Sequence, residues 1–150
     1  DMPSVWERAD NQRYQEVATQ LDTSIYPNYY VQNFHHQTDG YLSDWSANLY
    51  DVQVDLLFNG ATDAMRRRVL APLKRGLAAF SSLDPREIRV LDVACGTGRT
   101  LKNLRAMLPQ ASLYGVDLSA PYLRKANQLL AQIPGELPQL IQANGEALPY

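Results

Sequence analysis

The stretch Val90-Leu91-Asp92-Val93-Ala94-Cys95-Gly96-Thr97-Gly98-Arg99-Thr100-Leu101 constrains the fold of this chain more than any other. It opens as a short apolar run of the kind that forms a buried parallel strand. It breaks at Gly96-Thr97-Gly98 and resumes with Leu101, Leu104 and Leu108 at helical spacing. Strand, glycine turn and helix together make a corner suited to a nucleotide or a cofactor. Glycine accepts positive φ and lets the backbone approach a ligand that a Cβ would hold off.

Two acids sharpen that reading. Asp92 stands inside the first strand, where an apolar residue is expected, and a carboxylate there is costly without a partner at the strand's C-terminal mouth. The next strand, Leu113 to Asp117, also ends in an acid. Asp117 lies 19 residues beyond Gly98, near the spacing at which a Rossmann-type acid meets ribose hydroxyls. Cys95 sits in the turn with no base close in sequence, which makes it a poor nucleophile.

The segments LDVACGTGRTL and LYGVDLS resemble motif I and the second acidic motif of the class I S-adenosylmethionine-dependent methyltransferases, over roughly residues 62–150. The family pattern is acid-x-Gly-x-Gly-x-Gly. Ala94 holds its first glycine position, a conservative change provided the backbone there needs no positive φ. The resemblance implies an α/β, Rossmann-like fold with parallel strands in the order 3-2-1, preceded by an N-terminal helical region. It also implies S-adenosylmethionine as cofactor. On that reading the turn formed by Ala94, Cys95, Gly96 and Gly98 takes the methionyl part and ribose, and Asp92 either meets the ammonium directly or orients the turn through a water. Asp117 accepts the ribose hydroxyls, and Leu118 flanks the adenine. Ala143 to Pro149 resembles the family's Gly-Asp-Ala-Glu-x-Leu-Pro, with Gly145 in the loop and Asn144 in place of the aspartate that accepts the adenine amino group. The amide oxygen of Asn144 can still accept, and Glu146 matches a glutamate whose common role is structural. Ala47-Asn48-Leu49-Tyr50-Asp51 resembles an Ala-x-x-Tyr-Asp element in which the tyrosine lies over the cofactor. Ordinary helix packing accounts for Tyr50 equally well.

The rest of the chain fills in the frame. Residues 5–21 are expected to form a first helix, with Ser4 as N-cap and Glu7 completing a capping box. An aromatic segment follows, with Tyr26, Tyr29, Tyr30 and Phe34, and then both histidines, His35 and His36. Adjacent histidines cannot share one site on a helix or strand, so no metal site is expected. Residues 43–59 read as a helix with Trp45, Leu49, Val52 and Leu56 as its apolar stripe, ended by Gly60. Thr62 is expected to cap a longer helix carrying Met65, Val69, Leu70, Leu73, Leu77 and Phe80, kinked or split at Pro72. Arg66-Arg67-Arg68 reads as a solvated face. A second sheet-facing helix, capped by Ser119 with Pro121 in its first turn, leads to a third strand over residues 137–143.

Composition narrows function. The net charge of −2 argues against a nucleic-acid partner, and no apolar run is long enough for a membrane span. A single cysteine and a start that does not read as a secretory signal point to the cytoplasm. The expected organisation is an N-terminal lid region over residues 1–60 and a cofactor-binding domain over 61–150 that lacks the family's later strands. That would leave the first strand as an unfinished edge open to self-association. Methyl transfer is an in-line displacement at carbon from a cationic sulfur, so alignment and water exclusion dominate and no protein nucleophile is required. The expected partner is a small-molecule acceptor. His35, His36, Tyr29 and Tyr30 are the candidate bases, and residues 26–50 the candidate lid. Two alternatives stand beside this. A nicotinamide oxidoreductase would want Gly-x-Gly-x-x-Gly, but the third position from Gly96 is Leu101. A non-catalytic module that folds with a partner is the other.

Overall fold

The computed structural model describes residues 2–13, 22–33 and 40–149. Three parallel strands, β1 (Arg89–Val93), β2 (Ser112–Asp117) and β3 (Gln139–Gln142), form an open sheet in the order β1-β2-β3. The expected order and the place of β1 at an edge are both borne out. Ahead of the sheet come α1 (Met2–Asp10), α2 (Asp44–Leu57), α3 (Thr62–Arg67) and α4 (Leu70–Leu77). Between the strands run α5 (Arg99–Met107) and α6 (Ala120–Leu130).

Strand alternation decides which side is core. Val90, Leu113 and Leu140 point to one face, where they meet Leu101 and Leu104 of α5 and Leu123, Ala126 and Leu130 of α6. Leu70 and Leu73 of α4 pack against the same cluster. Leu91 and Val93 point the other way and are exposed. On the helix side Asp92 pairs in register with Gly115. A Cβ on Gly115 would come within 2.7 Å of Leu101 Cδ1, 2.8 Å of Leu140 Cδ2 and 2.9 Å of Cys95 Sγ. That glycine is what lets α5 lie down on the sheet.

Several expectations need correction. Helix α1 begins at Met2, so Ser4 lies inside it and is not its N-cap; the expected continuation through residues 14–21 lies outside the described residues. Thr62 does not cap α3 with its side chain. Its hydroxyl donates to the Val54 carbonyl at 3.2 Å and fastens α3 to α2. The long helix does split, but after Arg67 rather than at Pro72. Pro72 falls in the first turn of α4, where its missing N–H has no intrahelical partner to lose.

Helix α2 turns its apolar stripe outward. Trp45, Val52 and Leu56 are 56%, 58% and 73% exposed, while Ser46 and Ala47 are buried. The buried face is small and polar because it lies against α6. Ser46 Oγ and Tyr122 Oη share a hydrogen bond at 3.0 Å, Lys125 Nζ donates to Asn48 Oδ1 at 2.7 Å, and Arg124 pairs with Asp44 at 2.9 Å. Ser43 caps the helix as its sequence suggests, its Oγ accepting from Ser46 N at 3.0 Å.

The close fit at Gly115 makes a direct prediction. Gly115→Ala overpacks the α5–sheet contact and should lower unfolding free energy by roughly 1–3 kcal/mol in a urea titration. An unchanged midpoint would show that α5 can move away without cost.

Candidate functional site

Both acids identified from sequence reach the same end of the sheet, at the C-terminal mouths of β1 and β2. Between them the turn runs through three left-handed residues, Ala94 (φ +60°), Gly96 (φ +53°) and Gly98 (φ +77°). The condition on which alanine would be a conservative change at the first glycine position is therefore not met. The position does require positive φ, and alanine occupies it at a cost of about 1–3 kcal/mol. Gly96 has nothing within 4 Å of the place a Cβ would take, so its left-handed conformation alone favours glycine there. At Gly98 a Cβ would stand 3.0 Å from Ala126 Cβ, so this glycine brings α5 and α6 together.

Asp117 is buried, and its carboxylate holds three elements at once. Gly96 N–H donates to Oδ2 at 2.8 Å, Ser119 N–H to Oδ1 at 2.8 Å, and the Tyr30 hydroxyl to Oδ1 at 3.2 Å. Ser119 in turn caps α6, accepting from Tyr122 N at 3.2 Å, while its hydroxyl donates to the Tyr41 carbonyl. Asp92 is different. Its Oδ2 is buried and has no hydrogen-bond partner among the described residues. Burial first, and the Asp117 charge second, push its pKa up to about 6.

A cleft of about 210 Å³ opens beside Asp117, lined also by Tyr29, Tyr30, Ala94, Val116, Leu118 and the loop from Ala143 to Glu146; Asp92 is not part of its lining. Leu118, Asn144 and Gly145 thus line the same cleft as the turn. Asn144 Oδ1 accepts from Glu146 N at 3.0 Å, which shapes the loop. Tyr30 and Tyr29 meet edge to face at 6.4 Å between ring centroids, and Tyr26 stacks on Tyr30 at 6.0 Å. The Tyr30 phenol is desolvated and faces Asp117, and both effects raise its pKa, so it serves as a proton donor in a hydrogen bond. Tyr50 packs edge-on against Tyr122 with centroids 5.1 Å apart, which is the helix-packing role allowed for it. Cys95 is buried, and burial with the two nearby carboxylates pushes its thiol up to about 12. His35 and His36 lie outside the described residues. Among the described residues no three His, Cys, Asp or Glu side chains form a metal cluster, and no helix is long and apolar enough to cross a membrane.

Sequence reasoning passed over Asp51. Its Oδ1 accepts from Thr97 Oγ1 at 2.9 Å and its Oδ2 from Arg99 Nε at 2.9 Å, with Arg66 at 3.5 Å. Arg66, read as part of a solvated run, is therefore partly engaged in this network. The signal was present: Asp51 closes the Ala47-Asn48-Leu49-Tyr50-Asp51 element, in which the resemblance gives a role to the tyrosine alone.

Comparison with known proteins agrees with this geometry. Residues 90–150 match the family model described as "Methyltransferase domain". This segment is similar to methyltransferase domains. The chain is 37% identical over 91 residues to a trans-aconitate 2-methyltransferase of Rhodopseudomonas palustris (strain BisB5), covering 61% of this chain and 30% of that protein. It is 43% identical over 61 residues to the ubiquinone/menaquinone biosynthesis C-methyltransferase UbiE of Syntrophotalea carbinolica, covering 41% of this chain and 25% of that protein. A second trans-aconitate 2-methyltransferase, from Rhodopseudomonas palustris (strain BisA53), is 35% identical over 103 residues, 69% of this chain and 33% of its own length. The chain spans a third or less of each of these relatives.

The left-handed alanine gives a clean test. Ala94→Gly removes the Cβ strain, partly offset by the unfolded-state entropy of glycine, and should raise unfolding free energy by up to about 1 kcal/mol. Thermal denaturation checks the sign, and a lower midpoint would mean the methyl contributes packing that outweighs its strain.

Proposed function

We propose that this chain carries the cofactor-binding part of an enzyme that transfers a methyl group from S-adenosylmethionine to a small-molecule acceptor. Residues 61–150 are the binding unit, and the segment before them forms the wall of the cleft. The observation that carries the reading is the buried Oδ2 of Asp92, with no hydrogen-bond partner among the described residues, beside a turn with open space at Gly96. A carboxylate out of water is costly until a cation or donor meets it. S-adenosylmethionine carries an ammonium of the right kind, and it supplies an electrophilic methyl on a sulfonium.

The chain's own residues would do the rest. Asp92 meets the ammonium, and the Gly96–Gly98 turn allows close backbone approach. A carboxylate offers about four acceptor sites, of which Asp117 already uses three. A ribose diol there takes the free site and replaces the Tyr30 hydroxyl, the longest of the three contacts. Leu118 and the Ala143–Glu146 loop offer an apolar edge and amide groups to an adenine. Tyr29 and Tyr30 exclude water from the cleft, which is where rate comes from in a displacement with a preactivated leaving group. This makes the segment around them a lid over the cofactor's open side. The relatives' names differ, one specifying trans-aconitate and the other ubiquinone/menaquinone biosynthesis, so the acceptor here is left at the class of small molecule.

Calorimetry with S-adenosylmethionine, S-adenosylhomocysteine and NAD tests the reading. Binding of the first two in preference to NAD is expected, and preference for NAD would overturn it. Asp117→Ala should cost roughly 1.5–3 kcal/mol of affinity per charged hydrogen bond lost, with the fold checked by circular dichroism because Asp117 also holds Gly96.

A pH series adds a second check. Because the folded pKa of Asp92 is raised to about 6, folding stability from this group is fully present below its ordinary value of 3.8 and is lost as pH rises through 6. The slope is at most about 1.4 kcal/mol per pH unit. An ammonium ligand favours the ionised form, so affinity should rise with pH through about 6. In Asp92→Asn that rise should vanish, and a rise that persists would assign it to another group.

A further inference from the structure

We propose that Asp51 is a positioning residue for the glycine turn, reaching over from α2 to clamp it in the conformation that receives the ligand. The inference rests on the cofactor reading above, since it concerns how that site is held in shape.

Asp51 spends both oxygens on the turn and the start of α5. Thr97 Oγ1 donates to Oδ1 and Arg99 Nε to Oδ2, each at 2.9 Å, and the Asp51 side chain is only 14% exposed. Thr97 is buried and stands between two left-handed glycines, Gly96 and Gly98. A tripeptide with two such glycines has many alternative conformations, so it keeps one only if its neighbours fix it. Asp117 fixes the Gly96 N–H from the sheet side. Gly98, the N-cap of α5, has no side chain to cap with, and Asp51 holds the residues on either side of it, Thr97 and Arg99, through their side chains. A carboxylate close to that start is also favoured by the helix dipole. The acid is held in its turn by a second guanidinium, Arg66 at 3.5 Å, from the neighbouring helix α3. The turn is thus gripped from two sides, by an acid of the sheet and an acid of the helix layer. Asp51 directly follows Tyr50, whose ring packs on Tyr122, so the helix carrying the clamp is itself anchored on α6.

The test uses Asp51→Ala, Asp51→Asn, Thr97→Val and the Asp51→Ala/Thr97→Val double variant in the full chain. S-adenosylhomocysteine affinity is read by calorimetry, and amide hydrogen exchange at residues 96–98 is read without ligand. A clamp predicts that Asp51→Ala weakens binding by about tenfold or more and speeds exchange at the turn. Thr97→Val should weaken binding less, and the double variant should be no weaker than Asp51→Ala alone, because both remove one interaction. A lowered melting temperature with unchanged affinity, or fully additive effects on affinity, would overturn the proposal. If Asp51→Ala does not fold, Asp51→Asn and Thr97→Val and their double variant carry the same comparison. Wild-type chain that binds no S-adenosylhomocysteine sinks the cofactor reading instead, and exchange then decides the clamp alone. Faster exchange at residues 96–98 upholds it, and unchanged exchange ends it.

Discussion

The carboxylate of Asp117 accepts Gly96 N–H and Ser119 N–H at 2.8 Å and Tyr30 O–H at 3.2 Å while almost wholly out of solvent. None of these partners carries a formal charge. What makes the buried carboxylate tolerable is a set of oriented dipoles: a backbone N–H from the glycine turn, the N–H at the N-cap of α6, and that helix's own field. The three donors belong to three different parts of the chain. The geometry of the ligand end therefore depends on one side chain reading the glycine turn, the second helix and the N-terminal tyrosines together.

That unneutralised charge spreads into its surroundings. Desolvation is the largest cause of the raised pKa of Asp92, Tyr30, Cys95 and Tyr122, and the Asp117 charge adds to it in each case. Two carboxylates at adjacent strand ends, one satisfied and one partnerless, make an asymmetric pair. The satisfied one builds the loop, and the other keeps a buried oxygen without a hydrogen-bond partner among the described residues. A cationic group entering there meets a charge that the protein has not already neutralised.

The core of the fold was legible because its signals are local and agree with each other. Apolar runs at β1 and β2, the 3- and 4-residue stripe on α5, and the Ser119-Pro121 start of α6 all point to one parallel unit. The outer helices were read less well, for physical reasons. On α2 the stripe at Trp45, Val52 and Leu56 is the more apolar face, yet α6 takes the opposite one, where Ser46 and Ala47 allow close approach and polar side chains pair across the contact. Periodicity reports which face is greasy, and it cannot report which face a neighbour can fit. Of the site, the two acids and the glycines followed from spacing. The Asp51–Thr97 and Tyr30–Asp117 contacts span 46 and 87 residues, and no local pattern encodes such distances.

Ala94 shows how the parts of the site depend on one another. A residue with a Cβ at φ +60° is a standing cost that a free loop would relieve by flipping into the allowed region. It cannot do so here, because the residues around it are committed. On the N-terminal side the chain is still in the sheet ladder through Val93, and Cys95 N–H donates to the Val116 carbonyl at 3.0 Å, continuing the pairing past the strand's end. On the C-terminal side Gly96 is tied to Asp117 and Thr97 to Asp51. Strain at Ala94 is thus held by bonds on both sides of it, those to the charged acceptors each worth about 1.5–3 kcal/mol. Two acids from different layers offset one unfavourable dihedral, and the turn keeps its open face toward the cleft before any ligand arrives.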